Sequence, residues 1–216
     1  MVDLHKSPIY EICYLLQALW MIPVGVCSYN AYVNSFLISM SFGTSMMKDL
    51  QQKLENLSEM DDVDALRNIK ECIKRHIKII MFRDDLEELY SAMSLIDVML
   101  YCIVLATMLV YSSMDYDGAL VFKGLQLLLV QTSLMYLTFH FSNAFSNESL
   151  NIANAAYNTN WMQRSTEFRK CIVLIIARSQ RPLQLTAGGL KPLTLEAFVG
   201  IMRASYSLFS VLQGTM

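Results

Sequence analysis

An all-α polytopic membrane bundle, with a cytoplasmic helical anchor and a broken last helix, is the fold class this sequence predicts. Three observations predict it. Hydrophobic residues make up 54% of the 216 positions and charged residues only 17%, against about 25% charged in soluble domains. The missing charge is concentrated in blocks: none lies between Glu11 and Lys48, between Asp97 and Asp115, or between Lys123 and Glu148. A helix needs about 20 apolar residues to cross a bilayer. The first and third blocks reach that length, and the second reaches it by extending upstream through Leu95 and Met93 if Asp97 is shielded. Finally, apolar residues outside these blocks recur at helical spacing. A soluble all-α protein is the competing reading, but uncharged blocks of spanning length are rare in soluble cores.

The first span covers residues 1–44, with its apolar run over 9–42. Pro23 and Gly25 lie inside it, and membrane helices tolerate such breakers where neighbours satisfy the freed carbonyls. The run is longer than a bilayer is thick, so it is expected to tilt or to project beyond one face. It is also far too long for the apolar region of a cleaved leader. From Lys48 the character changes. Leu50, Leu54 and Leu57 recur among Gln51, Lys53 and Glu55, the pattern of an amphipathic helix. After a break at Ser58-Glu59-Met60-Asp61-Asp62, Leu66, Ile69, Ile73, Ile77 and Ile80 repeat at steps of three and four. Arg67, Lys70, Glu71, Lys74, Arg75 and Lys78 take the other face. Residues 45–92 therefore read as amphipathic helices in water or against partner helices, outside the membrane; the resemblance drawn below makes them part of a cytoplasmic anchor.

No Gly or Pro intervenes before Gly118, so one helix is expected over about 63–111, roughly 70 Å long. Its first half stands in water and its second half, residues 93–113, forms the second span. The turn Asp115-Tyr116-Asp117-Gly118 ends it, and residues 119–144 form the third span. The asparagine-rich stretch 143–160 reads as a loop or a helical extension, and 162–178 as a short amphipathic helix; residues 145–181 together return to the anchor. Pro182 disfavours helix at Arg181, and Ala187-Gly188-Gly189-Leu190-Lys191-Pro192 reads as a flexible joint within residues 182–193. Thr194 is placed to cap a last helix over 194–216, with Glu196 in its favourable first turn.

Charge sets the expected orientation. Lys48, Lys53, Arg67, Lys70, Lys74, Arg75 and Lys78 precede the second span, and Arg164, Arg169 and Lys170 follow the third. The connector around Asp115 and Asp117 has no Lys or Arg. The positive-inside bias puts the basic segments in the cytoplasm and the connector outside. Both ends of this chain are then extracellular. The sequons Asn56-Leu57-Ser58 and Asn147-Glu148-Ser149 are cytoplasmic and expected to stay unmodified.

Several chemistries find no support. The net charge is −2 and no basic patch is interleaved with aromatics, so no nucleic-acid partner is expected. The five cysteines, Cys13, Cys27, Cys72, Cys102 and Cys171, are odd in number and lack CxxC spacing, which argues against a disulfide framework or zinc site. His76 and His140 read as solvated or packed rather than metal-ligating. No nucleophile–base pair or phosphate loop appears, so neither an enzyme nor a cofactor is expected. Asp97 is expected at the cytoplasmic boundary of its span, solvated or paired, since a carboxylate inside lipid is costly. On the last helix, Gly200, Ala204, Ser207, Val211 and Gly214 form a stripe of small residues. Periodicity alone leaves two readings open: a pore-lining face with Val211 as a hydrophobic constriction, or close helix packing.

A set of short strings follows in fixed order and spacing. Tyr14-Leu15-Leu16-Gln17 lies in the first span, and Cys72, His76 and Ile79 on the amphipathic helix. Glu148-Ser149 leads into Ala156-Tyr157-Asn158-Thr159-Asn160-Trp161 and Arg169-Lys170. Arg178-Ser179-Gln180-Arg181-Pro182-Leu183, Ala187-Gly188-Gly189, Phe198 and Ser205-Tyr206-Ser207 complete the set. In this order the chain resembles the C-terminal half, helices four to seven, of an insect odorant receptor, a seven-helix ligand-gated cation channel of insect olfaction.

The resemblance implies four subunits around a central cation pore, usually a heterotetramer with a shared co-receptor, in the plasma membrane of olfactory sensory neurons. It implies an extracellular C-terminus, a last helix that lines the pore, and a volatile odorant bound in the outer half of the membrane domain. Pore-lining roles then fall to the stripe Gly200, Ala204, Ser207, Val211 and Gly214. Tyr157, Trp161, Arg169 and Lys170 take anchor and subunit contacts, with a lipid-interface role as the alternative. Gln180, Arg181, Pro182, Gly188 and Gly189 form a gating hinge or a plain structural kink. For the odorant, Tyr14, Gln17, Met21 and Ile22 on the first span and Phe122, Gln126 and Leu129 on the third are candidates, against ordinary packing. A full family member carries three more helices upstream of Met1. An assembly-only fragment and a taste-receptor relative are the alternatives carried beside the channel subunit.

Overall fold

The computed structural model describes residues 9–113 and 118–214. Six α-helices account for most of them. In order these are α1 (Ile9–Leu16), α2 (Ile22–Asn56), α3 (Asp62–Ser113), α4 (Gly118–Tyr157), α5 (Thr166–Ser179) and α6 (Leu195–Gly214). Short 3₁₀ turns at Leu57–Glu59 and Trp161–Gln163 join α2 to α3 and α4 to α5. The strands β1 (Thr186–Ala187) and β2 (Lys191–Pro192) form a small antiparallel hairpin between α5 and α6. The acidic part of the connector, Asp115 to Asp117, lies outside the described residues.

A single wide turn of π-helix, Gln17–Met21, separates α1 from α2. Its cause is Pro23. Proline has no N–H to give the carbonyl four residues back, and its ring crowds that carbonyl, so the preceding turn opens. No helix break accompanies the change of character, and α2 continues through Lys48 to Asn56. Its buried positions Val33, Phe36, Met40, Gly43, Met47, Leu50 and Leu54 alternate steps of three and four. That 3.5-residue seam is the packing pattern of coiled helices, and it ignores the passage from apolar to polar surroundings. At Gly43 the seam becomes tight: a Cβ there would lie 2.5 Å from the Phe145 ring of α4, and Phe145 is wholly buried.

The expected long helix is present as α3, with 52 residues and a length of roughly 78 Å. Its buried face differs from the expected one. Ala65, Ile69, Cys72, His76 and Ile79 are buried, whereas Leu66, Ile73 and Ile80 are only partly covered and Ile77 is 51% exposed. The seam is rotated because α3 packs between α2, α4 and α5, so Cys72 and His76 take core positions. The stretch 143–160 is a helical extension: Phe145, Ser146, Ser149, Ile152, Ala155 and Ala156 are buried at helical spacing, and this face carries α4 on to Tyr157.

The lower ends of α2, α3 and α4, together with α5, form one core. Arg164 closes its tip. The guanidinium donates to the carbonyls of Leu57 and Ser58 at 3.0 and 3.2 Å and to Asp62 Oδ1 at 2.9 Å, so it caps the carbonyls at the end of one helix and the acidic start of the next. Ser165 caps α5 by accepting from the Phe168 N–H. At the other end, one described helix, over Asp62–Thr107, is long and apolar enough to cross a membrane, and only 22% of its most apolar 18-residue stretch is buried. Leu19, Trp20, Val24, Val26, Ile103, Leu125 and Val130 are likewise exposed, an apolar surface too broad for a water-facing monomer.

Candidate functional site

The segment between α5 and α6 is held to α3 and α4 by specific hydrogen bonds. Gln180 ends α5, its N–H reaching the Ile176 carbonyl at 3.1 Å. Gln180, Arg181 and Pro182 are exposed, and the Arg181 carbonyl accepts from Arg178 Nη1 at 3.3 Å. The next residue is pinned: the Leu183 N–H donates to Ser149 Oγ of α4 at 2.9 Å, and that hydroxyl donates in turn to the Ser146 carbonyl. The flexible joint expected over 187–192 is a closed hairpin, with Thr186 opposite Pro192 and Ala187 opposite Lys191. Gly188 and Gly189 turn it at φ +61° and +72°, the left-handed region that glycine enters without strain.

The hairpin is bound to α3 along one stripe of that helix. Thr186 donates its N–H to Glu87 Oε2 at 2.9 Å and its hydroxyl to Glu87 Oε1. The Gly188 N–H donates to the Ser91 carbonyl at 2.9 Å. The same glycine lies against Leu95, whose Cδ2 would be 2.6 Å from a Cβ at position 188. Glu87, Ser91 and Leu95 are spaced by four, so they share a face. On leaving the hairpin, the Leu193 N–H bonds back to the Leu185 carbonyl at 2.8 Å. Thr194 then caps α6 as expected, its Oγ1 accepting from the Ala197 N–H at 3.3 Å.

The two sides of α6 differ. Leu195, Phe198, Ile201 and Met202 pack against the core. Phe198 meets the rings of Tyr136 and Phe139, each 5.8 Å away, and Met202 Sδ accepts from the Tyr101 hydroxyl at 3.1 Å. Gly200, Ala204 and Ser207 lie on the opposite, exposed arc with Glu196 and Arg203. Ala204 also edges an apolar groove of about 230 Å³ between α3 and α6, with Cys102, Leu105 and Ile201. Val211 and Gly214 extend the same stripe by register, and the side chain of Val211 lies outside the described residues.

Within the apolar half, polar groups join three helices. Gln131 Nε2 of α4 donates to the Tyr29 hydroxyl at 2.9 Å, and Tyr29 donates to Asp97 Oδ1 at 3.2 Å. Asp97 is therefore paired, one of the two situations expected for it. Tyr32 with Ser94, and Ser39 with Tyr90, continue the α2–α3 contact.

At the end of α4, Tyr157 and Trp161 come together: Trp161 Nε1 donates to the Tyr157 carbonyl at 3.2 Å. Arg169 and Lys170 lie on the exposed side of α5, where Val173 and Leu174 are also uncovered. His76 is buried, and its loss of solvation together with the nearby Arg178 charge lowers its pKa to about 4. Burial raises the Cys72 thiol to about 11, which makes it inert at neutral pH. Among the described residues no group of His, Cys, Asp or Glu is arranged to hold a metal.

Of the odorant candidates, Tyr14, Ile22, Phe122 and Leu129 are 62%, 60%, 63% and 68% exposed, and Gln126 is exposed beside them in sequence. Gln17 and Met21 fall in the wide π turn, with side chains outside the described residues. Glu87, Ser149 and Arg164 have the most specific contacts near the joint and anchor tip, and sequence reasoning passed over them as site residues. Their partners lie 34 to 107 residues away, so no local pattern marks them.

With the geometry in hand, comparison with known proteins places the chain. The family model described as 7tm Odorant receptor matches residues 1–206. Odorant receptor 10 of Aedes albopictus is 29% identical over 98% of this chain and 57% of its own length. Odorant receptor 30a of Drosophila melanogaster is 28% identical over 97% of this chain and 55% of its own. The olfactory receptor OR5 from Machilis hrabei, solved in complex with eugenol, superposes with a TM-score of 0.89 at 19% identity. The match covers all of this chain and 55% of that one. A second structure of the same receptor gives a TM-score of 0.88 at 21% identity, covering 98% of this chain and 54% of that one. The chain thus spans a little over half the length of the relatives it matches.

Proposed function

The chain belongs to the 7tm Odorant receptor family, and from that premise we propose that it serves as a subunit of an odorant-gated cation channel. It is a multi-pass membrane helical bundle and a receptor rather than an enzyme. One observation carries the channel reading: α6 packs one face on its own subunit and turns the small residues Gly200, Ala204 and Ser207 outward. A helix that presents such a stripe suits the axis of an assembly, where small side chains leave room for hydrated ions. Glu196 and Arg203 on the same arc favour water or protein over lipid, since each charge in the membrane centre costs about 3 kcal/mol.

In this reading four subunits, including a shared co-receptor, surround the pore in the plasma membrane of olfactory sensory neurons. The core around Ile69, Phe145 and Ile172 is the cytoplasmic anchor, and the C-terminus is extracellular. Tyr157, Trp161, Arg169 and Lys170 face neighbouring subunits. A small volatile ligand, of the class represented by the eugenol bound to the Machilis receptor, lodges among the outer residues Tyr14, Gln17, Met21, Ile22, Phe122, Gln126 and Leu129 once they are covered by the rest of the assembly.

Cysteine substitution tests the proposal. Ala204→Cys and Ser207→Cys are expressed with a co-receptor, and current is recorded while a charged thiol reagent is applied. Modification that reduces odorant-evoked current supports a pore-facing α6. Reagent that labels both cysteines without altering the current removes α6 from the pore. Surface delivery with no odorant-evoked current in the unmodified chain favours an assembly-only role.

A further inference from the structure

We infer that Glu87 is a positioning residue that fixes where the last helix begins, through a carboxylate latch on the hairpin; the inference rests on the channel reading above. Both oxygens of Glu87 are engaged by one residue, Thr186, through its N–H and its hydroxyl. Bonds to an ionised carboxylate are about twice as strong as neutral ones. The Thr186 hydroxyl also accepts from the Gly189 N–H at 3.0 Å, so the carboxylate, the hydroxyl and the tip of the turn form one chain of bonds. One helical turn along α3, the Ser91 carbonyl takes the Gly188 N–H. The hairpin then closes on itself at Leu185 and Leu193, and α6 starts two residues later at Leu195. No slack remains between the latch and the helix. Any axial movement of α3 carries the foot of α6 with it, and any movement of α6 independent of α3 must first break the bonds to Glu87.

Hydrophobic packing seats the hairpin, with Leu185, Ala187 and Leu193 buried, but it does not call for a carboxylate at position 87. Glu87 is only half-buried, and an apolar residue there would leave the Thr186 N–H and the proton of its hydroxyl without an acceptor. The latch therefore acts through geometry, which is what transmission of ligand binding to a pore helix requires. The same half-exposure means that Glu87→Gln, of nearly equal size, can fold.

The test combines amide exchange with electrophysiology on the full chain. Glu87→Gln and Thr186→Val should each accelerate hydrogen exchange at the Thr186, Gly188 and Gly189 amides in the purified protein. With a co-receptor and normal surface delivery, each should raise the half-maximal odorant concentration about tenfold, as expected for losing a bond to a charged group. Because both variants remove the bond between the Thr186 hydroxyl and the charged carboxylate, the double variant should lose less than the sum of the two, and Thr186→Ser, which keeps the hydroxyl, should restore both readouts. Unchanged exchange at the three amides overturns the latch. Accelerated exchange with an unmoved dose–response curve, or additive effects in the double variant, overturns its role in gating. A lack of current from the unmodified chain overturns the channel reading and this gating role together, while slow exchange at these amides in that protein would show the latch itself intact.

Discussion

Gly188 and Gly189 share a turn but are glycine for different reasons. Both have positive φ, but only Gly188 is in close contact, with Leu95; nothing lies within 4 Å of a Cβ built at Gly189. Gly189→Ala should therefore cost only the backbone strain, about 1 kcal/mol. Gly188→Ala adds a clash and should cost about 2 to 4 kcal/mol. Thermal melts of the two variants in one detergent check this, and equal losses would contradict it. His76 gives a second prediction. Its folded pKa of about 4 lies below the ordinary 6.5, so the unfolded chain takes up a proton first. The stability associated with neutral His76 is complete above pH 6.5 and is lost as pH falls towards 4, by about 3 kcal/mol. His76→Leu should flatten that part of the pH–stability curve; a curve that keeps its full slope assigns the effect to other groups. These two residues also mark how far the sequence could be read. The glycine pair announced a turn by composition. His76 stood next to Arg75 on a charged stretch, and nothing local told that the seam would rotate it inward.

At the level of elements, spacing of three and four was enough to find α3 and the short α5, because helical periodicity is a local property; the asparagine-rich stretch 143–160 left loop and helical extension open, and the burial of Phe145, Ile152 and Ala156 decides for the extension. Tertiary partners were not legible. The charge change at Lys48 gave no sign that one seam, from Val33 to Leu54, runs through it, since packing registers against neighbouring helices rather than against the solvent. The Gly-Gly pair marked the joint by composition, but its partners Glu87, Ser91 and Ser149 leave no mark in a window of ten residues. The α2–α4 contact yields a prediction at this scale. Gly43→Ala forces a methyl against the buried Phe145 ring, 2.5 Å from the new atom. Overpacking of this kind costs about 1 to 3 kcal/mol. If the variant melts with the parent, or above it, the contact is looser than the structure has it.

For the molecule as a whole, the anchor depends on a few long-range ties between apolar seams. Arg164 is the clearest. Its side chain is only 11% exposed, and it joins the start of α5 to the α2–α3 turn across more than a hundred residues. Lys70 and Glu167 make a second tie at 2.7 Å, but both are more than half exposed, so it contributes little. Arg164→Ala should therefore destabilise the anchor by about 2 to 3 kcal/mol, and Lys70→Ala by less than 1 kcal/mol. Limited proteolysis should cut the Arg164 variant faster between residues 57 and 62. Equal protection of both variants would mean that the tip is held by its apolar core alone.

The unbroken length of α3 has a mechanical consequence. A rod of 52 residues with no proline or glycine has no compliant point at which a displacement can be absorbed. If its upper end pivots by five degrees about the lower, the far end sweeps about 7 Å, from a length of about 78 Å. Glu87 sits close to the midpoint of the rod, where the arc is about half as large. The hairpin is thus attached where a lever trades travel for force, which suits a short, stiff load such as the foot of a helix better than a long excursion.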